Sequence, residues 1–117
     1  MTRYEGDPDL DYLLDFNNVT LTVDAVSGHR GRFRITQVPN SPEKPHGLDY
    51  SLTLHARDGR RIAGFDNAHP VGKIKRGEPQ DHMHRFQTVR PYEYKDAGTL
   101  HADFWELVDS VMKVCRK

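Results

Sequence analysis

Two histidines stand two residues apart in the run Asp81-His82-Met83-His84-Arg85. On an extended chain alternate side chains share a face, so both imidazoles project to one side as an acid–base pair or as two ligands of a metal. A third imidazole, His69, closes the run Phe65-Asp66-Asn67-Ala68-His69. There Asp66 can orient a histidine base or end a strand through an Asx turn, and Asn67 can contact a substrate or serve only as a turn former. Arg85 and Arg90 offer cations for a phosphate. Arg90, Tyr92 and Tyr94 alternate along Arg90-Pro-Tyr-Glu-Tyr94, which in an extended chain aligns them to bind phosphate and stack a base, although tyrosines at this spacing also make ordinary sheet packing. Four of the seven histidines lie between Tyr50 and His84.

The chemistry this inventory allows is narrow. The chain has no Gly-rich phosphate loop, no nucleophile elbow and no paired carboxylates at a distinctive spacing, which disfavours ATP, NAD and serine-hydrolase chemistry. Acid–base work by histidines with arginine support remains. RNA cleavage through the 2′-hydroxyl needs those parts: a base, an acid and a cation for the phosphorane. The leading expectation is a metal-independent ribonuclease without cofactor, with His69, His82 and His84 as acid–base residues, Asp66 as orienter, and Asn67, Arg85, Arg90, Tyr92 and Tyr94 facing substrate. Two other readings stand beside it. One is a non-catalytic module that binds protein or nucleic acid through its sheet or through a basic loop with Lys73, Lys75 and Arg76. The other is a divalent-metal hydrolase built on His69, His82 and His84 with Asp66 or Asp81 as an oxygen ligand, a spacing that matches no established ligand motif.

These residues must be positioned by elements whose signals are clear. Asp7-Pro8-Asp9 has the N-cap, first-turn proline and acidic residue of a helix start, predicting a short helix over about 8–15. Val19–Val23 and residues 31–38 alternate as half-buried strands, with Arg32 and Arg34 outward and Ser27-Gly28 as the turn between them. Three prolines and a glycine make 39–47 a surface loop. Residues 49–57 and 60–67 flank Asp58-Gly59, a two-residue hairpin signal. A two-residue turn pairs Arg57 with Arg60, and hence Leu54 with Ala63, Leu52 with Phe65 and Ser51 with Asp66, which matches apolar to apolar on one face. The opposite face is mostly polar, and His55 lies too far along its strand to reach Asp66. A basic loop over 71–80 leads to a strand at about 82–90. The last helix, from near Asp96 or Thr99, carries an apolar stripe of Leu100, Phe104, Leu107, Val108, Val111 and Cys115, widened by Trp105 and Met112. The expected fold is α+β: an antiparallel sheet of about five strands, the C-terminal helix on one face, and a short N-terminal helix.

Composition sets the outer bounds. A chain of 117 residues with 36% hydrophobic and 29% charged residues forms a single domain, 1–117, with one core. Its formal net charge of zero provides no global field toward nucleic acid or an anionic membrane, so only local charge can guide binding. The absence of an apolar signal core or spanning run predicts a soluble, cytoplasmic protein with no membrane partner. Cys115 is the only cysteine; no internal disulfide can form, and its place on the apolar stripe predicts a buried structural role.

Read together, His46-Gly47, Tyr50-Ser-Leu-Thr-Leu-His55, Asp58-Gly59, Gly64-Phe-Asp-Asn-Ala-His69, Asp81-His-Met-His84, Tyr92-Glu-Tyr94 and Asp103-Phe104 resemble the TumE-type family of small bacterial proteins. The resemblance covers about residues 45–112. Phe-Asp-Asn-Ala-His and the later His-x-His are its most specific pieces. It implies a toxin component of a toxin–antitoxin system with a helix-turn-helix antitoxin as partner, while RNA is the further partner that the histidine and arginine inventory allows and self-association stays open. It carries no established catalytic set.

Overall fold

The computed structural model describes residues 7–42, 44–68 and 81–115. Its elements are α1 (Leu10–Leu14), β1 (Val19–Asp24), β2 (His29–Gln37), β3 (Leu48–His55), β4 (Arg61–Asp66), β5 (Asp81–Arg85), β6 (Thr88–Tyr92) and α2 (Ala97–Cys115). The strands form one antiparallel sheet in chain order, so the α+β class holds with six strands rather than about five. The difference lies in the segment expected as one strand at 82–90. It folds as a hairpin in which Arg85 pairs with Thr88 across a two-residue loop, Phe86-Gln87. Phe86 adopts a φ of 53° and donates its N–H to the Ile62 carbonyl at 2.7 Å. Glycine usually supplies a positive φ at that loop position, so the sequence carries no turn signal there.

The central hairpin keeps the expected register by a different route. Ser51 pairs with Asp66, Leu52 with Phe65 and Leu54 with Ala63. The turn has three residues, Arg57-Asp58-Gly59, since the Ala56 N–H bonds the Arg60 carbonyl and Gly59 takes a φ of +90°. Arg57 therefore does not pair with Arg60. The extra loop residue is absorbed by a bulge: the register shifts between Leu54 and His55, His55 faces Arg61, and Ile62 is the unopposed residue, buried in the core.

Alternation along the paired strands separates two faces. Phe33, Ile35, Tyr50, Leu52, Leu54 and Phe65 point to one side and form the core with Leu100, Phe104, Val108 and Val111 of α2. Phe33 touches both helical layers, with ring centroids 5.2 Å from Phe104 of α2 and 5.2 Å from Phe16 just after α1. Both helices thus lie on this helix face. Arg30, Arg32, Arg34, Ser51, Thr53, Asp66, His82 and His84 belong to the other side, and no helix or strand among the described residues lies over this open face.

Helix ends depart from the expected pattern in two respects. Asp7 does not cap α1, whose N-cap is Asp9 without a side-chain bond; the Asp7 carboxylate instead accepts the Ala97 N–H at 2.8 Å, at the start of α2. Asp96 accepts the Thr99 N–H at 2.7 Å, and this amide holds its carboxyl below the usual range. At the other end of α2, Cys115 is exposed rather than buried, because the last helical members of the core are Val111 and Met112 and the final turn runs past it.

Candidate functional site

Asp66, at the end of β4, is the centre of a polar cluster on the open face. Its cross-strand partner on β5 is His82, and Gly64, two residues earlier, is paired with His84, so both imidazoles flank the carboxylate as their spacing predicts. His84 Nε2 lies 2.9 Å from Asp66 Oδ2, His82 Nδ1 lies 4.0 Å from Oδ1, and the Ala68 N–H reaches Oδ1 at 3.3 Å. Arg61 joins the two groups, with Nη1 3.5 Å from Asp66 Oδ2 and Nη2 3.4 Å from His84 Nδ1. A guanidinium donor at Nδ1 leaves the imidazole proton on Nε2, the nitrogen facing Asp66. Yet that close Nε2 contact is off the line of a hydrogen bond, and Nε2 is a buried polar atom without an aligned acceptor. We take it as an electrostatic contact, since 2.9 Å is well within ion-pair range while the angle excludes a full bond. Beneath the cluster, a Cβ added at Gly64 would come within 2.5 Å of the Leu52 carbonyl oxygen and 2.9 Å of Thr53, so the strands approach there as only glycine allows.

The other expected site residues are placed elsewhere. His69, with Lys73, Lys75 and Arg76, lies outside the described residues. Asn67 is fully buried: its side chain donates to the Leu48 carbonyl at 2.7 Å and accepts the Tyr50 N–H at 3.1 Å, extending the β3–β4 pairing past Asp66. Lys44 donates to both the carbonyl and the side-chain oxygen of Asn67, at 2.7 and 3.2 Å. Arg85 and Arg90 sit on the helix-face side of β5 and β6, where Arg90 pairs with Met83 and Arg85 donates to Ser110 Oγ at 3.1 Å. Tyr92 donates to Asp103 at 2.6 Å, and Tyr94 stacks on His46 with centroids 4.1 Å apart. Burial foremost, with Asp103 beside Tyr92 and Asp7 beside Tyr94, pushes both hydroxyls well above the ordinary tyrosine range. His55 bonds Thr53 Oγ1 at 2.8 Å and the Gly59 carbonyl at 2.9 Å, away from Asp66.

Two features were not anticipated from the sequence. Arg61 is one; its position in the cluster depends on the bulge at Ile62. The other is a second carboxylate cluster on the helix face, where the Asp81 oxygens accept from His46 Nε2 at 2.9 Å and from the Tyr50 hydroxyl at 2.5 Å. Burial, and then the Asp81 charge, push the Tyr50 hydroxyl far above its ordinary range, so it remains a donor. The sequence places His46, Tyr50 and Asp81 among the residues that carry the family resemblance and offers Asp81 as an oxygen ligand, but it does not bring the three together. Among the described residues no group of three or more His, Cys, Asp or Glu is placed to hold a metal ion.

Fold and site together define a small α+β protein with an imidazole–carboxylate–guanidinium cluster on the open face of a meander sheet. The family described as Toxin TumE matches residues 11–112, extending the similarity well before residue 45 to include β1 and β2. The chain belongs to this family and is therefore a toxin component of a toxin–antitoxin system, with an antitoxin as its partner. No curated protein and no solved structure matches it. No helix among the described residues is long and apolar enough to cross a membrane.

Proposed function

We propose that this toxin acts on RNA in the cytoplasm as a metal-independent ribonuclease, held in check by a helix-turn-helix antitoxin. The observation that carries this reading is the placement of His82 and His84 on either side of Asp66, with Arg61 bridging the carboxylate and His84. One imidazole takes the proton of the 2′-hydroxyl as that oxygen attacks phosphorus, and the other gives a proton to the departing 5′-oxygen. The products are a 2′,3′-cyclic phosphate and a 5′-hydroxyl, with no net change in protons or electrons. Arg61 offsets the charge that builds on the equatorial oxygens, and Asp66 fixes the ring of His84. In this assignment Arg61 has the phosphate role that the sequence suggested for Arg85 or Arg90, because Arg61 shares the histidines' site. The half-exposed His82 ring is the one substrate meets first.

The test is cleavage of a mixed RNA pool in excess chelator, with termini analysed for cyclic phosphate. His82→Ala and His84→Ala should each lower the rate by about 10²–10⁴ while the thermal transition is retained. Cleavage that requires a divalent ion, or that survives both substitutions, overturns the assignment.

A further inference from the structure

The zero net charge conceals a division between faces. The helices present Asp9, Asp11, Asp15, Glu106 and Asp109 to solvent, and the basic residues on that side include Lys113 in the last turn of α2 and Arg85 and Arg90 on β5 and β6. The open face of β2 presents Arg30, Arg32 and Arg34, all exposed. These arginines alternate with the core residues Gly31 and Phe33, so they form a straight row with Cα spacings of about 6.7 Å. Their cross-strand neighbours are small or neutral: Thr22 and His55 flank Arg30, Thr20 and Thr53 flank Arg32, and Ser51 pairs with Arg34. The acids near the row on this face include Asp49, one pair beyond Ser51 and 3.7 Å from Lys44, and Asp66, which pairs with Ser51 from the other side.

Register joins this row to the Asp66 cluster. Arg34, Ser51, Asp66 and His82 are successive cross-strand partners, as are Arg32, Thr53, Gly64 and His84. Strands about 4.8 Å apart place the arginine row roughly 14 Å from the histidines, a span of a few nucleotides on the face that no described helix or strand covers. We infer that the row is a phosphate track along β2 for an RNA single strand that then turns across the sheet toward β5 and delivers one phosphodiester to His82 and His84. This deepens the ribonuclease reading and rests on it. A single strand is favoured over a duplex because attack by the 2′-oxygen needs it in line with the leaving oxygen, an arrangement that A-form pairing prevents. A sheet face also suits splayed bases, whereas duplex RNA is read by shape across its shallow groove. An acidic protein segment would match the charge, but nothing in its recognition calls for an acid–base pair three strands from the row on the same face.

Binding and cleavage separate the two claims. A labelled oligoribonucleotide with 2′-O-methyl groups cannot be cleaved, so fluorescence anisotropy reads the track alone, for the strand free and closed into a duplex. The wild-type protein should prefer the free strand. The triple variant Arg30→Gln/Arg32→Gln/Arg34→Gln should bind it at least tenfold more weakly in low salt, with the slope of log affinity against log salt reduced in magnitude by about 2. Equal binding by variant and wild type, equal affinity for the duplex, no binding by wild type, or an effect of the arginines confined to the antitoxin each overturns the track. If the unmodified strand is bound through the arginines but not cleaved, the track stands and the ribonuclease reading falls. If RNA is cleaved equally by the triple variant, the reverse holds.

Discussion

Asp66 and Asp81 present the same chemistry to opposite sides of one sheet. Each is a carboxylate beside a histidine, and the two meet β5 at adjacent positions, Asp66 opposite His82 and Asp81 one residue before it. Asp81 is 2% exposed, both of its oxygens accept short bonds, and the histidine it holds is stacked on Tyr94. Asp66 has more neighbours but weaker ones: a misaligned imidazole at 2.9 Å, a guanidinium at 3.5 Å, an amide at 3.3 Å and a second imidazole at 4.0 Å. A saturated buried network rigidifies the structure around it. The Asp66 carboxylate is held by longer contacts and its neighbour His82 has a side chain 30% exposed, so a phosphate has access to this cluster. The difference gives Asp81 a structural place and makes Asp66 the carboxylate on which the proposed ribonuclease reading rests.

The largest expected effect is on the open face. Asp66→Asn keeps the shape but removes the charge that orients His84, and RNA cleavage should fall by about 10²-fold or more with a stability change below about 1 kcal/mol. Thermal unfolding of the same preparation provides the control. A variant that is inactive because it is unfolded would erase the distinction between the clusters.

Next comes the helix face, where the effect should appear in stability. Asp81→Ala leaves His46 and the buried Tyr50 hydroxyl without their acceptor, at a cost of about 3 kcal/mol, and should lower Tm by about 10 °C or more. Tyr50→Phe removes one of the two bonds and should cost about 1.5 kcal/mol. Both variants should retain cleavage well below their transitions. Should Asp81→Ala be stable and inactive, the roles of the two carboxylates would have to be exchanged.

Where the sequence was legible, apolar alternation was the reason. A slip of one residue would expose Leu52 and Phe65, so Ser51 had to meet Asp66 whatever the turn, and a bulge at Ile62 preserved the match when the loop proved one residue longer. The outward set of Arg32 and Arg34 was readable in the same way. The β5–β6 turn was not, since Phe86-Gln87 lacks the residues that mark a tight hairpin. That gap also explains where Arg90 falls: in one unbroken strand it would share a face with His82 and His84, whereas reversal at Phe86 pairs it with Met83 and moves it to the other side. His46 and Asp81, 35 residues apart, are joined only by tertiary structure.

A histidine outside both clusters supplies the smallest and sharpest control. His101 on α2 packs among Tyr12, Phe16 and Trp105, and its Nε2 accepts the Trp105 indole N–H at 3.2 Å. Desolvation holds its pKa below the ordinary histidine value. The folded state therefore takes up its proton less readily than the unfolded chain, whose histidine titrates near 6.5. Its contribution to stability is present above that value and is lost as pH falls through the lower folded one, when protonation also removes the acceptor for Trp105. Between pH 7.5 and 5 the wild-type Tm should drop by a few degrees more than that of His101→Phe, which keeps an aromatic ring but has no proton to bind. Cleavage, in contrast, should follow the same pH profile in both proteins, because His101 is on the helix side and touches neither Asp66 nor its histidines. A shift of the cleavage profile in His101→Phe would show that the open face is coupled to the helix layer and is not an independent site.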